Sequence, residues 1–384
     1  MPWKESSKMS LREEFAATAL SGEESFAAVC RRYGISRKTG YKWMKRVRTG
    51  EPLEDYSRAP HTTANRTSAE MEALILACRM EHPAWGPRKL ERYLQDRGYC
   101  GLPCRSTIGN ILLRNGCIDP AESEKHRAWE RFERSKPNSL WQMDFKGEFR
   151  MLNGELCYPL TILDDYSRYS LCVQACPNLR YESFYPVFRN ILTEYGLPRE
   201  ILCDHGKPWG DSKGGITRFE VQMMMLGILP IHGRMLHPQT QGKEERFHRT
   251  MKAELLSRRP MRDLADAQAA FDPWRWTYNH ERPHQALDMA CPASRYRSSP
   301  RPLPEAPAEP EYPCGAFLRK VNYKGYISLH RKRYYLSEAL AGKLLSWREA
   351  ESNTLILSYG AFDVAKVDLD SASLSTHISW SPHV

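Results

Sequence analysis

Nowhere in its 384 residues does the chain run apolar for long. No stretch approaches the roughly 18 apolar residues that a membrane-spanning helix needs, so no membrane partner is expected. The opening Met-Pro-Trp-Lys-Glu-Ser-Ser-Lys has no apolar segment of the kind that forms a secretory leader. The 11 cysteines are odd in number and follow no framework rhythm, which speaks against a disulfide-stapled secreted protein and for a reducing cytoplasm. Cys100 and Cys104 have no second Cys or His pair at ligand spacing, so a zinc site is not expected there. Acidic excess is also lacking. The 56 Lys and Arg residues outnumber the 46 Asp and Glu, a net charge of +10, and such a balance favours a polyanionic partner without identifying one. The length is too great for one ordinary domain, and about two to four units are expected.

Leu11 to Val47 reads as three short helices, the last two over Ser25–Tyr33 and Arg37–Arg48 with a tight turn at Gly34. This is a helix-turn-helix pattern, assigned to residues 1–50. Ser36 is placed to cap the last helix. Arg37, Lys38 and Thr39 then occupy the first turn, where a recognition helix meets base edges, and Tyr41, Lys42 and Arg46 are within reach of the phosphate backbone. The plainer alternative is a helical unit whose Phe26, Val29, Ile35 and Trp43 only make a core. The exposed basic pairs Arg37-Lys38 and Lys45-Arg46 favour DNA. A second helix-turn-helix-like unit, residues 69–117, is predicted from Met71–Met80, Pro87–Arg97 and Ser106–Asn115, with Ser106 as cap and Gly98 as stop. Glu51 to Ser68 is read as the linker between the modules, and the charged stretch Glu122–Lys136 as helical or linking.

From Ser139 the pattern changes to strands at Leu140–Phe145, Cys157–Leu163 and Tyr169–Gln174, separated by turn chemistry at Asn153-Gly154 and Asp164-Asp165. A helix over Tyr181–Tyr195, a strand at Glu200–Cys203, a helix near Ile216–Leu226, a strand at Ile228–Ile231 and a helix opening at Gly242 come next. Three strands and then alternating helix and strand is the order of a ribonuclease-H-like mixed sheet with helices on both faces. This core is assigned to residues 137–297, including a trailing helix over about Leu264–Tyr278. A proline-rich linker at 298–313 leads to a small β-barrel-like domain at 314–370. The predicted fold class is therefore multidomain α/β, with tandem N-terminal helix-turn-helix domains, a ribonuclease-H-like catalytic core and a small C-terminal β domain.

Three acidic residues stand in distinctive settings: Asp144 in Leu-Trp-Gln-Met-Asp-Phe, Asp204 in Ile-Leu-Cys-Asp-His-Gly, and Glu245 in Gln-Gly-Lys-Glu-Glu-Arg-Phe-His. With Ile162–Tyr169 and Tyr278–His284 they make five ordered motifs. The chain thereby resembles the transposases of bacterial insertion sequences that carry a retroviral-integrase-type catalytic core. The resemblance implies that Asp144, Asp204 and Glu245 are catalytic carboxylates and ligands of two Mg²⁺ ions, with Mn²⁺ able to substitute. Ions held roughly 3.5 to 4 Å apart activate the attacking oxygen and stabilise the leaving one in phosphoryl transfer, and such hard ions take oxygen ligands. Carboxylates held so close repel one another until cations arrive.

The family pattern puts the glutamate three residues after the glycine of Gln-Gly, at Glu245. Glu244, where relatives carry an apolar residue, points about 100 degrees away around the helix. His248, Arg249 and Lys252 are expected on the face of Glu245, and the resemblance implies that Arg249, Lys252 and Gln241 hold a DNA end. A solvated helix face is the plainer alternative. Phe247, Met251 and Leu255 make the opposing apolar row. Asp164 and Asp165 are expected to set a turn rather than bind metal. His205 stands where the family often has asparagine. Asn279, His280, Arg282 and His284 are expected to pack the late helix on the core. The C-terminal β domain contacts DNA or forms multimers if it conforms to the family.

The function implied is a bacterial, cytoplasmic and nucleoid-associated enzyme. It would bind the terminal inverted repeats of its element as double-stranded DNA, hydrolyse the 3′-end phosphodiester and transfer the strand into target DNA, as a homo-oligomer. Two alternatives remain open: a non-catalytic DNA-binding regulator or decayed copy, and a ribonuclease-H-like nuclease.

Overall fold

The computed structural model describes residues 8–55, 67–118, 133–204, 206, 208–210, 215–232, 242–351 and 353–382. His205, Gln241 and the charged stretch from Glu122 up to residue 132 lie outside the described residues. The chain divides into two compact units, Met1–Arg66 and Thr67–Val384.

The first unit is three helices, α1 (Lys8–Ser21), α2 (Phe26–Arg32) and α3 (Arg37–Thr49). Phe15, Val29, Trp43 and Met44 form its core, with Phe26 and Ile35 packed against them. Ser36 caps α3 as the sequence predicts, its hydroxyl accepting from the Thr39 N–H at 3.1 Å. Gly34 takes a φ of +65° in the turn between α2 and α3, a conformation that favours glycine.

The second unit opens with α4 (Ala69–Glu81), α5 (Pro87–Asp96) and α6 (Arg105–Arg114) around Ile75, Leu90, Leu94 and Ile108. The expected cap of α6 is corrected. Cys104 holds an extended ψ of 160° and is the N-cap, which places Ser106 inside the first turn. This three-helix module is docked on the rest of the second unit rather than merely tethered to it: Trp85 Nε1 donates to Glu254 at 3.2 Å and Arg97 pairs with Glu281 at 2.6 Å.

The mixed sheet contains β1 (Leu140–Phe145), β2 (Phe149–Arg150), β3 (Leu156–Asp164), β4 (Ser170–Cys176), β5 (Glu200–Cys203) and β6 (Leu229–His232). β3 pairs antiparallel with β4 on one side and β1 on the other, while β1, β5 and β6 run parallel. The two-residue β2, absent from the sequence prediction, pairs with the start of β3. Between the strands lie α7 (Tyr181–Tyr195) and α8 (Arg218–Met225), and after β6 come α9 (Gly242–Met251) and α10 (Leu264–His280).

Side chains alternate across the sheet with a period of two, which sorts β1. Trp141 and Met143 join Phe184 and Phe188 of α7 and Phe219 of α8 in one core. On the other face Leu163 and Val173 pack with Phe247 and Met251 of α9 and Phe271 of α10. Asp144 belongs to this second face, because Thr161, its partner in register on β3, is hydrogen-bonded to α9 residues. A π-helical turn, Lys252–Leu256, continues α9 directly.

The proline-rich stretch is extended, as expected, but its start is strapped to the core rather than free. Arg301 donates to the carbonyls of Pro198, Leu226 and Gly227, and Ser299 N–H to Tyr195 O. The C-terminal β unit differs from the expected barrel. It has β7 (Phe317–Lys320), a hairpin of β8 (Tyr326–Leu329) and β9 (Lys332–Tyr335), then β10 (Leu344–Ala350), β11 (Thr354–Tyr359), β12 (Phe362–Asp368) and β13 (Ser373–Trp380). The five-stranded sheet β13-β12-β11-β10-β7 is open, and the hairpin is separate. This unit shares a core with the mixed sheet and its helices, Leu355 and Leu357 clustering with Val221 and Met224 of α8. Among the described residues no helix is long and apolar enough to cross a membrane.

Candidate active site

Asp144 and Asp204 come from neighbouring parallel strands. The register pairs Gln142 with Leu202, so Asp144, near the end of β1, lies level with Asp204 just past the end of β5. The Asp144 carboxyl is pushed up to about 7, by burial first and by the charge of Asp204 second. The strand register brings these two predicted carboxylates together, close enough for each to feel the other's charge.

Asp204 is shaped from two sides. One carboxylate oxygen accepts from the Gly206 N–H at 3.0 Å, and a Cβ on Gly206 would meet the other at 2.8 Å, so a larger residue there would push the carboxylate aside. Its backbone carbonyl lies 2.8 Å from His232 Nδ1 on β6. His232 Nε2 in turn is 2.9 Å from Glu220, whose second oxygen closes a capping box at the start of α8 by accepting from Thr217 N–H at 2.6 Å. Burial alone would lower the His232 pKa, but Glu220 and Asp204 beside it bring it above the ordinary value. The sequence reading missed this relay, since His232 and Glu220 belong to no motif and meet only when β6 pairs with β5.

The helix that carries the glutamates is pinned at its start: Lys243 Nζ binds Asp165, which also accepts from Gln142 and from Arg134 N–H. Asp164 accepts from Asn138 N–H and from both donors of Ser167. The pair organises the turn after β3, as expected. The same α9 sorts its side chains between the core and the surface. Its buried row is Glu244, Phe247 and Met251, so Glu244 lies inside the fold in the field of Asp144, about 100 degrees around the helix from Glu245. Glu244 is 1% exposed, Thr161 Oγ1 donates to it at 3.1 Å, and burial first and then Asp144 hold its carboxyl well above the usual range. Glu245 stands exposed on the outer side with Arg249, and exposed Lys252 comes after them in the π turn.

His248 was expected to grip DNA beside Glu245. Instead it is tucked in, 2.8 Å from Thr161 Oγ1, 3.5 Å from Glu244 and 3.9 Å from Asp144. Burial and the neighbouring Lys146 drive its imidazole down to about 3, so at neutral pH it carries no charge for a phosphate. The reason is its place at i+4 from Glu244, on the flank of the buried row. Lys146 was not singled out by sequence. Burial and Lys252 hold its pKa below the ordinary lysine value, which puts Lys146 and Lys252 together as a basic edge of the site.

In the first unit Arg37, Lys38 and Lys42 are exposed on α3. Thr39 is half-buried, 2.9 Å from the Ser36 hydroxyl. Arg46 is a correction. It is 6% exposed and donates to the carbonyl of Glu54 at 2.6 Å, so it clamps the segment after α3 instead of reaching outward. In the late motif Asn279 brackets Ser170, accepting from its N–H and donating to its carbonyl, and Arg282 pairs with Glu254 at 2.9 Å. Both pack α10 and the turn after it on the core, as expected.

The donors suit a divalent ion. Asp144, Asp204 and Glu244 offer hard oxygens, and the Glu244 Oε1 is buried without a hydrogen-bond partner. Among the described residues no group of three or more His, Cys, Asp or Glu side chains stands in coordinating array. A cleft of about 480 Å³ lined by Arg88, Lys89 and Arg105 lies elsewhere, against the second helical module.

An integrase core domain matches residues 134–238 and a second integrase core model matches 226–292. A helix-turn-helix domain matches 12–61 and a homeodomain-like domain 39–112. The chain carries an integrase core. With helix-turn-helix domains ahead of it, the integrase core sits in the layout of an insertion-sequence transposase. The insertion element IS407 uncharacterized 31.7 kDa protein of Burkholderia multivorans is 24% identical over 179 residues, 45% of this chain and 60% of that protein. The insertion element IS476 uncharacterized 39.2 kDa protein of Xanthomonas euvesicatoria is 26% identical over 159 residues, 41% of this chain and 44% of that protein. The matched stretches thus span less than two thirds of either relative. A simian T-cell lymphotropic virus intasome, solved in complex with PP2A regulatory subunit B56 gamma, aligns over 77% of this chain and 93% of its own at 16% identity and a TM-score of 0.36.

Proposed function

We propose that the protein is a DNA strand-transferase of the transposase type. It would bind the terminal repeats of its element, hydrolyse the phosphodiester at each 3′ end, and join the freed 3′ hydroxyl to target DNA. The observation that carries this reading is the pair Asp144 and Asp204, level with each other on adjacent parallel strands and in each other's field, within an integrase core. Asp144, Asp204 and Glu245 would hold the divalent ions, Mg²⁺ or Mn²⁺. Bound there, two such ions supply the positive charge that activates the attacking oxygen and stabilises the leaving one.

The chain's own groups do the positioning. Gly206 leaves room for Asp204, and the Asp165–Lys243 pair sets the start of α9. Lys146, Arg249 and Lys252 face the phosphates of the DNA end, while Arg37, Lys38 and Lys42 read or hold its sequence through α3. Handling two element ends calls for an oligomer on DNA, at work in the bacterial cytoplasm.

The test is a strand-transfer assay with Mg²⁺ or Mn²⁺, a labelled duplex bearing the flanking terminal repeat, and a plasmid target. Wild type should give joined product, whereas Asp144→Asn, Asp204→Asn and Glu245→Gln should each bind the ends and join none. Substantial joining by any of the three would refute its assignment. End binding by wild type with neither cleavage nor joining would make the protein a regulator instead.

A further inference from the structure

Glu244 occupies a position on the buried row of α9 that packs with Phe247 and Met251. An apolar side chain would complete that row at no polar cost, yet the chain places a carboxylate there. It is 1% exposed. One oxygen is accounted for, accepting from Thr161 Oγ1 at 3.1 Å. The other, Oε1, is buried with no hydrogen-bond partner, and burying such an atom unmet is costly.

Thr161 and His248 hold the other oxygen of that carboxylate, Oε2, beside Asp144. Thr161 is the register partner of Asp144 on β3, and its hydroxyl lies equally close, 3.1 Å, to the Asp144 carbonyl, so that the two acceptors share its one proton. The His248 ring lies against both acids, Nε2 at 3.5 Å from Glu244 and Nδ1 at 3.9 Å from Asp144. The preceding residue is fixed by the Lys243–Asp165 pair, so the first turn of α9 is presented rigidly. A divalent cation prefers the oxygen donors that Asp144 and Glu244 offer, and it would satisfy the unmet oxygen.

We propose that Glu244 is a fourth carboxylate of the metal site, an oxygen ligand that approaches from inside the fold while Glu245 approaches from the solvent side. The inference rests on the strand-transferase reading above and adds to it a ligand from within the core. It also explains the carboxylate in an otherwise apolar row.

The experiment is a Mn²⁺ titration of the full-length protein without DNA, monitoring the electron paramagnetic resonance signal of the free ion. Wild type, Glu244→Gln and Glu245→Gln are compared, and each is melted metal-free. Glu244→Gln should weaken Mn²⁺ binding on the order of tenfold or more, with a metal-free melting temperature equal to or above wild type because the cost of burying an ionisable carboxyl has gone. If the amide disturbs folding, Glu244→Met, which keeps the length without an orphan polar atom, gives the same reading. A role confined to packing would move the melting temperature and leave the affinity alone, and that result overturns the proposal. So does unchanged affinity in Glu244→Gln beside lost affinity in Glu245→Gln, with the strand-transferase reading intact. No Mn²⁺ uptake by wild type overturns both.

Discussion

Lys89 shows how a basic side chain can be a cost to the fold. It lies on the first turn of α5, lining the cleft against the 285–289 turn. Burial first, and then the charge of Arg282, drive its amine down to about 7. A lysine whose folded pKa is depressed opposes folding, because the unfolded chain binds the proton more readily. That penalty is full below about 7 and fades as pH rises toward the unfolded value of 10.5. Lys89→Met should therefore raise the melting temperature at pH 7 by a few degrees, with a gain that shrinks between pH 7 and 10. A gain independent of pH would show that packing alone is responsible. At this scale Asp144 and Asp204 were legible, because each sits in a motif at a strand end. Glu244, His248 and Arg46 were not. Helical spacing gives the angle between side chains, but which of two flanks turns inward depends on how the helix docks.

Among the elements, two helix-interior glycines that look alike in sequence should respond oppositely to alanine. In α3 a Cβ on Gly40 would meet Cys30 Sγ at 2.7 Å, with the Phe26 and Phe15 rings at 3.0 and 3.1 Å. In α6 a Cβ on Gly109 would meet only Pro87 Cγ, at an ordinary 3.7 Å. Gly109→Ala should stabilise by about 0.5–1 kcal/mol through helix propensity, and Gly40→Ala should destabilise by about 1–3 kcal/mol through overpacking. Denaturant melts of the two variants check this, and a stabilised Gly40→Ala would refute the close packing at α3. The helices were legible from apolar spacing and capping residues, as at Ser36. The strand β10, Leu-Leu-Ser-Trp-Arg-Glu-Ala, was not, because its Arg348 and Glu349 break the alternation. Arg348 finds its partner, Asp363, only on β12.

For the whole molecule, Glu254 in the π turn joins three parts of the second unit. It accepts from Trp85 of the second helical module at 3.2 Å, from Trp274 of α10 at 3.3 Å and from Arg282 of the late motif at 2.9 Å. The Glu254 and Arg282 side chains are 11% and 10% exposed, so removing one charge strands the other in a poor solvent. Breaking a buried pair in this way costs about 3–5 kcal/mol. Glu254→Gln should lower the melting temperature and raise amide exchange in residues 69–114 more than in β1 and β3. Uniform exchange across the unit would show that the module docks independently of this residue. The module's helices could be read from sequence, whereas its docking could not, since Trp85 and Glu254 are far apart along the chain and acquire a shared environment only on folding.

The sequence by itself pointed to the helices, most strands of the core, the two candidate aspartates and the integrase type, because these depend on local spacing and short motifs. The tertiary structure decided which face of α9 meets the sheet, and with it that Glu244 lies buried toward Asp144 while Glu245 faces solvent. It also decided that His248 is an uncharged inner residue, that Arg46 is a clamp, and that the C-terminal strands form an open sheet on α8. Each of these depends on long-range packing, where burial sets the charge state and the partner of a side chain.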